Sequence, residues 1–484
     1  MISQIFYLTP DKIVIALVVL FIYYLDYRPP WWNRSKKTQQ SVPGPAALPI
    51  LGTTWMFYLG FYKLHDIKEF YYAMYKKYGP IFKQETYFNF PIYNIFEKKD
   101  IEKVLKIPSK YPVRPPSEAA ILYRLSRPDR YASAGITNAQ GETWHLLRAT
   151  LTPSLTSPKT MSNFMPEVHS LAEDWVSYLK RIQGPNGAIN DLSDAVVPLC
   201  FETTLDLVLG RRLGYLSPNP LSEKSRKLVE ALEGHFISLR DTQFNFPWWK
   251  FFPTKAFRML GYWENYIYET VLEMVAEYGD ENGDDTVYNS ILRANIDERE
   301  KTGAIIDFIS AGIHTLKNSL VFLLHMVAEH PEKQERIAMD LNYAKACMNE
   351  AFRLLPTATP LSRITEQDME LGGYQVKAGS VILCHGDIAS RSEQNFERPN
   401  EFLPERWLGE ERSKSVTSGI FIVIPFGAGK RICPGKRFIE LVLPIFLQET
   451  VKHYSLTTSQ KMEIEFQFLT APKGPVSINV NDRD

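Results

Sequence analysis

Phe426-Gly-Ala-Gly-Lys-Arg-Ile-Cys-Pro-Gly435 is the stretch on which the reading of this chain turns. Its glycines free the backbone to point successive N–H groups at one atom, and the atom they surround is the sulfur of Cys433. A helical pattern begins directly after Gly435, so a helix N-terminus would add a dipole that favours negative charge at that sulfur. Two phosphate-binding patterns come close and fail. From Gly429 to Gly435-Lys436 there are five intervening residues where a P-loop needs four, and Arg437 stands where Ser or Thr is required. A dinucleotide pattern started at Gly427 meets Ile432 where its last glycine should be. Taken alone, the loop is otherwise a turn around a buried thiol.

The other cysteines give no competing framework. Cys200, Cys347, Cys384 and Cys433 are far apart and form no CxxC pair. That spacing argues against structural zinc and against a disulfide scaffold. The 484 residues contain 55 Lys+Arg and 55 Asp+Glu, for a formal net charge of zero. No global charge therefore points to nucleic acid, and any partner attraction must come from a local patch.

Three regions follow from composition. Ile13 to Leu25 is an unbroken apolar run, followed by Trp31, Trp32 and the cations Arg28, Arg34, Lys36 and Lys37. Aromatics at interface depth and basic residues behind them read as a signal anchor over residues 1–27, with the body on the cytosolic face. The first 27 residues contain no Arg and two Asp, unlike a transit peptide. Residues 28–55 form a basic, proline-rich linker, stiffened by Pro43, Pro45 and Pro49. Residues 56–484 form the catalytic body.

Within that body the 3.6-residue period predicts helices over 67–77, 143–151, 161–180, 192–209, 222–240 and 264–278. The longest, over 303–330, is apolar nearly all round and therefore central. Alternating segments over 81–86, 92–96, 380–384 and 476–480 predict a few strands. The expected fold is mainly α with small β-sheets, an α+β layout.

The loop at Cys433 resembles the haem-binding loop of the cytochromes P450, matching its fixed positions at Phe426, Gly429, Arg431, Cys433 and Gly435. The resemblance implies haem b, with Cys433 as axial ligand to its iron, since thiolate donation favours O–O cleavage. It implies that Phe426 shields the sulfur and that Arg431 pairs with a haem propionate. Further matches follow in the expected order. Glu350-x-x-Arg353, with Arg406 downstream, resembles the family's structural brace. Trp144 and Arg148, four residues apart, and Arg363 resemble its propionate ligands. Ala311-Gly-Ile-His-Thr315 resembles its oxygen-activation motif, which implies that Gly312 makes room for O2 and that Thr315 donates a hydrogen bond to it. His314 departs from the usual acid and reads either as a proton relay or as a core residue. Only 35 residues separate Thr315 from Glu350, so a loop-helix insert common in eukaryotic relatives is absent.

Several segments, among them Arg114-Pro-Pro-Ser-Glu118, Ile305-Ile-Asp-Phe-Ile309 and Phe468-Leu-Thr-Ala-Pro472, resemble the insect ecdysone 20-monooxygenases of the mitochondrial P450 clan. This implies O2 and a steroid as substrates, with ecdysone hydroxylated at C20. Other steroid or lipophilic substrates, or a non-catalytic haem protein, are the alternatives. The clan implies a ferredoxin as electron donor, recognised by basic residues such as Lys345, Lys430, Lys436 and Arg437. The anchor implies instead the endoplasmic reticulum membrane and an NADPH-P450 reductase, with the mitochondrion as the alternative location. Ser117, Arg240, Gln243 and Thr470 are the expected partners for substrate hydroxyls.

Overall fold

The computed structural model describes residues 41–218, 222–279, 286–409 and 421–483. The expected anchor over 1–27 and most of the linker lie outside the described residues. Among the described residues, no helix is long and apolar enough to cross a membrane.

The expected central helix runs from Glu298 to Ala328. At 31 residues it is about 46 Å long and passes through the whole body. It starts five residues earlier than the apolar period suggests. The Asp297 side chain caps it, accepting from the Arg299 N–H, and Glu298 and Glu300 favour the positive end of its dipole. Its second half, Leu316 to Ala328, is buried on every side. The helices Val197–Leu209, Lys255–Tyr278, Leu341–Leu354 and Lys436–His453 pack around it.

Other differences from expectation have local causes. The span 192–209 breaks into Leu192–Ala195 and Val197–Leu209, because Pro198 fits only the first turn of a new helix. The helix expected over 264–278 begins at Lys255, where the Thr254 hydroxyl accepts from Phe257 N–H. The helix expected over 222–240 continues to Phe244 and stops before Pro247.

The sheets are small. The largest has the order Ile81–Glu85, Pro91–Ile95, Val381–Cys384, Leu361–Ile364. Its outer pairs are antiparallel and its central pair is parallel, with Ile92 beside Val381. Leu361–Ile364, antiparallel to Val381–Cys384, lies alongside the Cys433 loop, where the Arg363 guanidinium donates to Ala428 O at 3.1 Å. The strand expected over 476–480 is instead Ile478–Asp482, between Tyr454–Thr457 and Ala188–Ile189. Helices thus dominate and sheets flank them.

Candidate functional site

One cavity of about 1320 Å³ lies against the central helix. Cys433 forms part of its wall, with its side chain open to the cavity. The loop that carries it is turned by Gly427 and Gly429, at φ +75° and +68°, a region costly for any residue with a Cβ. Cys433 N–H donates to Phe426 O at 2.8 Å, which closes the loop. Behind it the helix Lys436–His453 begins. The surrounding protein pushes the thiol pKa up, while the N–H groups of Gly435 and Lys436 and the guanidinium groups of Arg148 and Arg114 pull it back. Phe426 lines the cavity and packs edge-on against Phe352, with ring centroids 5.3 Å apart.

Four arginines share that wall: Arg114, Arg148, Arg363 and Arg431. None pairs with a carboxylate among the described residues. Arg148 donates to Ile432 O at 2.8 Å. Arg431 donates to Pro112 O at 2.9 Å and to Gln140 Oε1 at 2.8 Å, and stacks over Trp144 with 3.8 Å between guanidinium carbon and ring centroid. Its buried Nη1 has no partner. Burial, then the fields of Arg114, Arg363 and Arg148, bring the Arg431 pKa down to about 9. Arg114 falls to about 10 through burial and its arginine neighbours. A wall of four cations with an orphan donor needs anions, and it lies beside a thiol in a mostly apolar cavity. The two propionates, flat apolar ring and iron of haem b fit that donor set. Arg148, Arg363, Arg431 and Trp144, the residues expected near the propionates, all line the cavity. Arg114 joins them unanticipated, because no pattern in 113–117 marks its side chain as cavity-facing.

Glu350, Arg353 and Arg406 converge on one buried cluster beneath the loop. Arg353 grips both Glu350 oxygens, at 2.9 and 2.8 Å. Arg406 Nε donates to Glu350 Oε1 at 3.2 Å, and Trp407 Nε1 to Oε2 at 2.9 Å. Arg353 also donates to the carbonyls of Ser390, Pro399 and Glu401. The helix Leu341–Leu354, Ser390 and the stretch from Pro399 to Trp407 are thereby tied at one point, an arrangement that fixes geometry. Trp407 completes the cluster and was not anticipated.

The central helix divides the expected oxygen motif. Gly312 and Thr315 line the cavity. Thr315 Oγ1 donates to Ala311 O at 2.8 Å, an internal bond a helix threonine can trade for one into the cavity. A Cβ at 312 would sit 2.6 Å from Thr204 Cγ2, so glycine permits the close approach of helix Val197–Leu209. His314 points elsewhere. It is buried, stacks on Phe236 at 4.5 Å and has no partner for Nε2. Burial, then Lys317 and His235, hold its pKa well below the usual imidazole value. A neutral ring off the cavity wall matches the core reading of His314 rather than the relay.

Of the residues expected to meet substrate hydroxyls, Ser117 and Gln243 line the cavity. Arg240 and Thr470 do not. Arg240 is turned to Asp241 and Phe466 O, and Thr470 is buried in the small hairpin whose carbonyl takes Asn318. The aromatic run 244–252 splits. Phe244 and Trp249 line the cavity, whereas Trp248, Phe251 and Phe252 are exposed. The cations Lys345, Lys430 and Arg437 are also on the surface, with Lys430 and Arg437 at the Cys433 loop.

The sequence is similar to that of known proteins. The cytochrome P450 family profile matches residues 42–480. The ecdysone 20-monooxygenase of Drosophila melanogaster is 38% identical over 93% of this chain and 90% of its own. Drosophila "Cytochrome P450 302a1, mitochondrial" is 28% identical over 92% of this chain and 96% of its own. The mouse mitochondrial 1,25-dihydroxyvitamin D(3) 24-hydroxylase is 24% identical over 89% and 86%. Two of these carry a mitochondrial designation, which favours the mitochondrial alternative over the endoplasmic reticulum. With its helix-rich fold, its cysteine loop and its anion-hungry arginine wall, the chain belongs to the cytochrome P450 family of haem-dependent monooxygenases.

Proposed function

We propose that this P450 hydroxylates ecdysone at C20, giving 20-hydroxyecdysone. The observation that carries the proposal is the 38% identity, over 93% of the chain, to a protein named for that reaction. The cavity supports it, being large, mostly apolar and walled by aromatic side chains with a few placed polar groups.

Haem, when bound, supplies the centre at which two electrons activate dioxygen. Cys433 would hold the iron through its sulfur, and Arg114, Arg148, Arg363 and Arg431 would hold the propionates. Glu350, Arg353 and Arg406 keep the loop in place without touching the reacting atoms. Thr315 holds a proton on Oγ1 at the cavity wall, positioned for delivery where oxygen is reduced. His314 packs against Phe236 and keeps the helix seated. Trp249, Phe244 and Phe236 exclude water and orient an apolar skeleton, so that position rather than intrinsic reactivity selects the carbon.

We further propose a mitochondrial setting, in which an acidic ferredoxin docks on the cations around Lys345, Lys430, Lys436 and Arg437, with residues 56–484 as the catalytic body. The test is incubation of haem-loaded protein with ecdysone, using a ferredoxin system and a flavoprotein reductase in parallel, read by mass spectrometry. Product gaining one oxygen at C20 with ferredoxin is expected. Absence of product with either donor, in protein with intact thiolate ligation, overturns the ecdysone assignment. Product with the reductase alone overturns the ferredoxin assignment.

The proton role of Thr315 has its own measurement. Thr315→Ala is expected to bind substrate unchanged, release hydrogen peroxide and make less product per NADPH. Coupling equal to the wild type removes the role.

A further inference from the structure

A charged group stands in the cavity wall away from the arginines around Cys433. Arg124, His235, Glu264 and Asp307 come from four different helices, and all four line the cavity. Arg124 Nε donates to Glu264 Oε1 at 2.6 Å. Its two Nη atoms grip Asp307 at 3.1 and 2.7 Å. His235 Nδ1 lies 3.2 Å from Glu264 Oε2, without the alignment of a hydrogen bond. One cation against two carboxylates leaves a surplus negative charge. The fold makes room for it: a Cβ at Gly135 would sit 2.3 Å from Arg124 Nη1.

A structural brace alone is a weak reason for this group, since apolar packing of the same volume stabilises at least as well. Its neighbours point to a ligand. Ser310 Oγ, three residues after Asp307 on the central helix, lines the cavity and has no partner. Ser117 stands at the N-cap of helix Glu118–Leu125, yet its side chain makes no cap bond. It is 7% exposed, lines the cavity, and its Oγ is also unpartnered. Buried, unpartnered hydroxyls on the cavity wall that also carries a carboxylate-rich group suit a ligand that brings its own hydroxyls. Asp307 lies eight residues before Thr315, about 12 Å along the helix axis. That separation is comparable to a fused four-ring skeleton.

We propose that Arg124, His235, Glu264 and Asp307, with Ser117 and Ser310, form a subsite that binds hydroxyl groups on the substrate's ring skeleton. Surplus carboxylate charge accepts from those hydroxyls, and Ser117 and Ser310 bond them in either sense. Holding the ring end there sets which carbon at the other end comes to lie by Thr315. The inference rests on the reading of the cavity as a steroid site, and adds the residues that read the hydroxyls.

The test uses the full haem-loaded chain and optical titration with pairs of steroids that differ by one ring hydroxyl. Ecdysone with its 2-deoxy counterpart is one pair, and progesterone with hydroxylated progesterones supplies others. Wild type is expected to prefer the hydroxylated member. Ser310→Ala and Asp307→Asn are expected to weaken that member about fivefold to tenfold, the size of one hydrogen bond, and to leave the other member within about twofold. They are also expected to spread hydroxylation over neighbouring carbons. Haem content and the carbon monoxide spectrum, unchanged in both variants, separate this from misfolding. If ecdysone fails to bind but another pair shows the preference and loses it in the variants, the subsite stands and the ecdysone assignment falls. No preference in wild type, or equal losses for both members, overturns the subsite.

Discussion

Replacing Cys433 by serine is expected to abolish the red-shifted Soret band of the ferrous carbon monoxide complex, with monooxygenase activity lost altogether. The band would report a cysteine thiolate holding the haem iron, and the other cysteines are too buried to supply one. Cys200 and Cys347 are wholly buried, and Cys384 is 2% exposed in the strand Val381–Cys384. Burial also pushes Cys384 up to about 12, so it would not ionise near neutrality. Burial raises the Cys433 thiol as well, but there the N–H groups of Gly435 and Lys436 and the guanidinium groups of Arg148 and Arg114 oppose it. The loop fold should survive, since Cys433 N–H still donates to Phe426 O. The measurement is the difference spectrum of protein with known haem content. A serine variant that retains the thiolate band removes Cys433 as the ligand.

The second large effect concerns the cluster below the loop. Arg353→Ala is expected to destabilise the protein by about 3–5 kcal/mol, because it leaves the Glu350 carboxylate buried at 0% exposure without its main partner. A whole domain is stable by only about 5–15 kcal/mol, so mostly haem-free or insoluble protein should result. Arg353→Lys is expected to rescue poorly. A single ammonium cannot hold both Glu350 oxygens and the carbonyls of Ser390, Pro399 and Glu401 at once. Arg398→Ala provides the contrast. Its pair with Glu401 is about half exposed on both sides, and its loss should cost at most about 1 kcal/mol. Haem content and thermal midpoint of the three variants decide the matter. A normal midpoint in Arg353→Ala would show that the pair is superficial.

Much of the fold was legible because its signals are local. The central helix reads from the apolar span 303–330 and its stop at Pro331. Its true start was missed because capping by Asp297 depends on one side chain outside the apolar pattern. Leu192 to Leu209 reads as one helix because its apolar period never falters, and only Pro198 betrays the break. The brace was legible as Glu350 and Arg353 on one helix face, while Trp407 as a third donor to Glu350 was not.

The sequence by itself determined the loop, the thiol and the order of the matching motifs, and hence the family. Those features repeat at fixed spacings, where backbone geometry alone places one residue relative to the next. Only the tertiary structure decided which side chains share the cavity. Arg114 reaches the arginine wall through the packing of 113–117 against Ile364, whose N–H donates to Val113 O. Arg124, Glu264 and Asp307 meet although 183 residues separate the outer two. His314 and Thr315 are neighbours in sequence, but the 100° step of a helix turns one into the core and the other to the cavity. Long-range proximity is set by how helices pack, and no spacing along one strand of sequence encodes it.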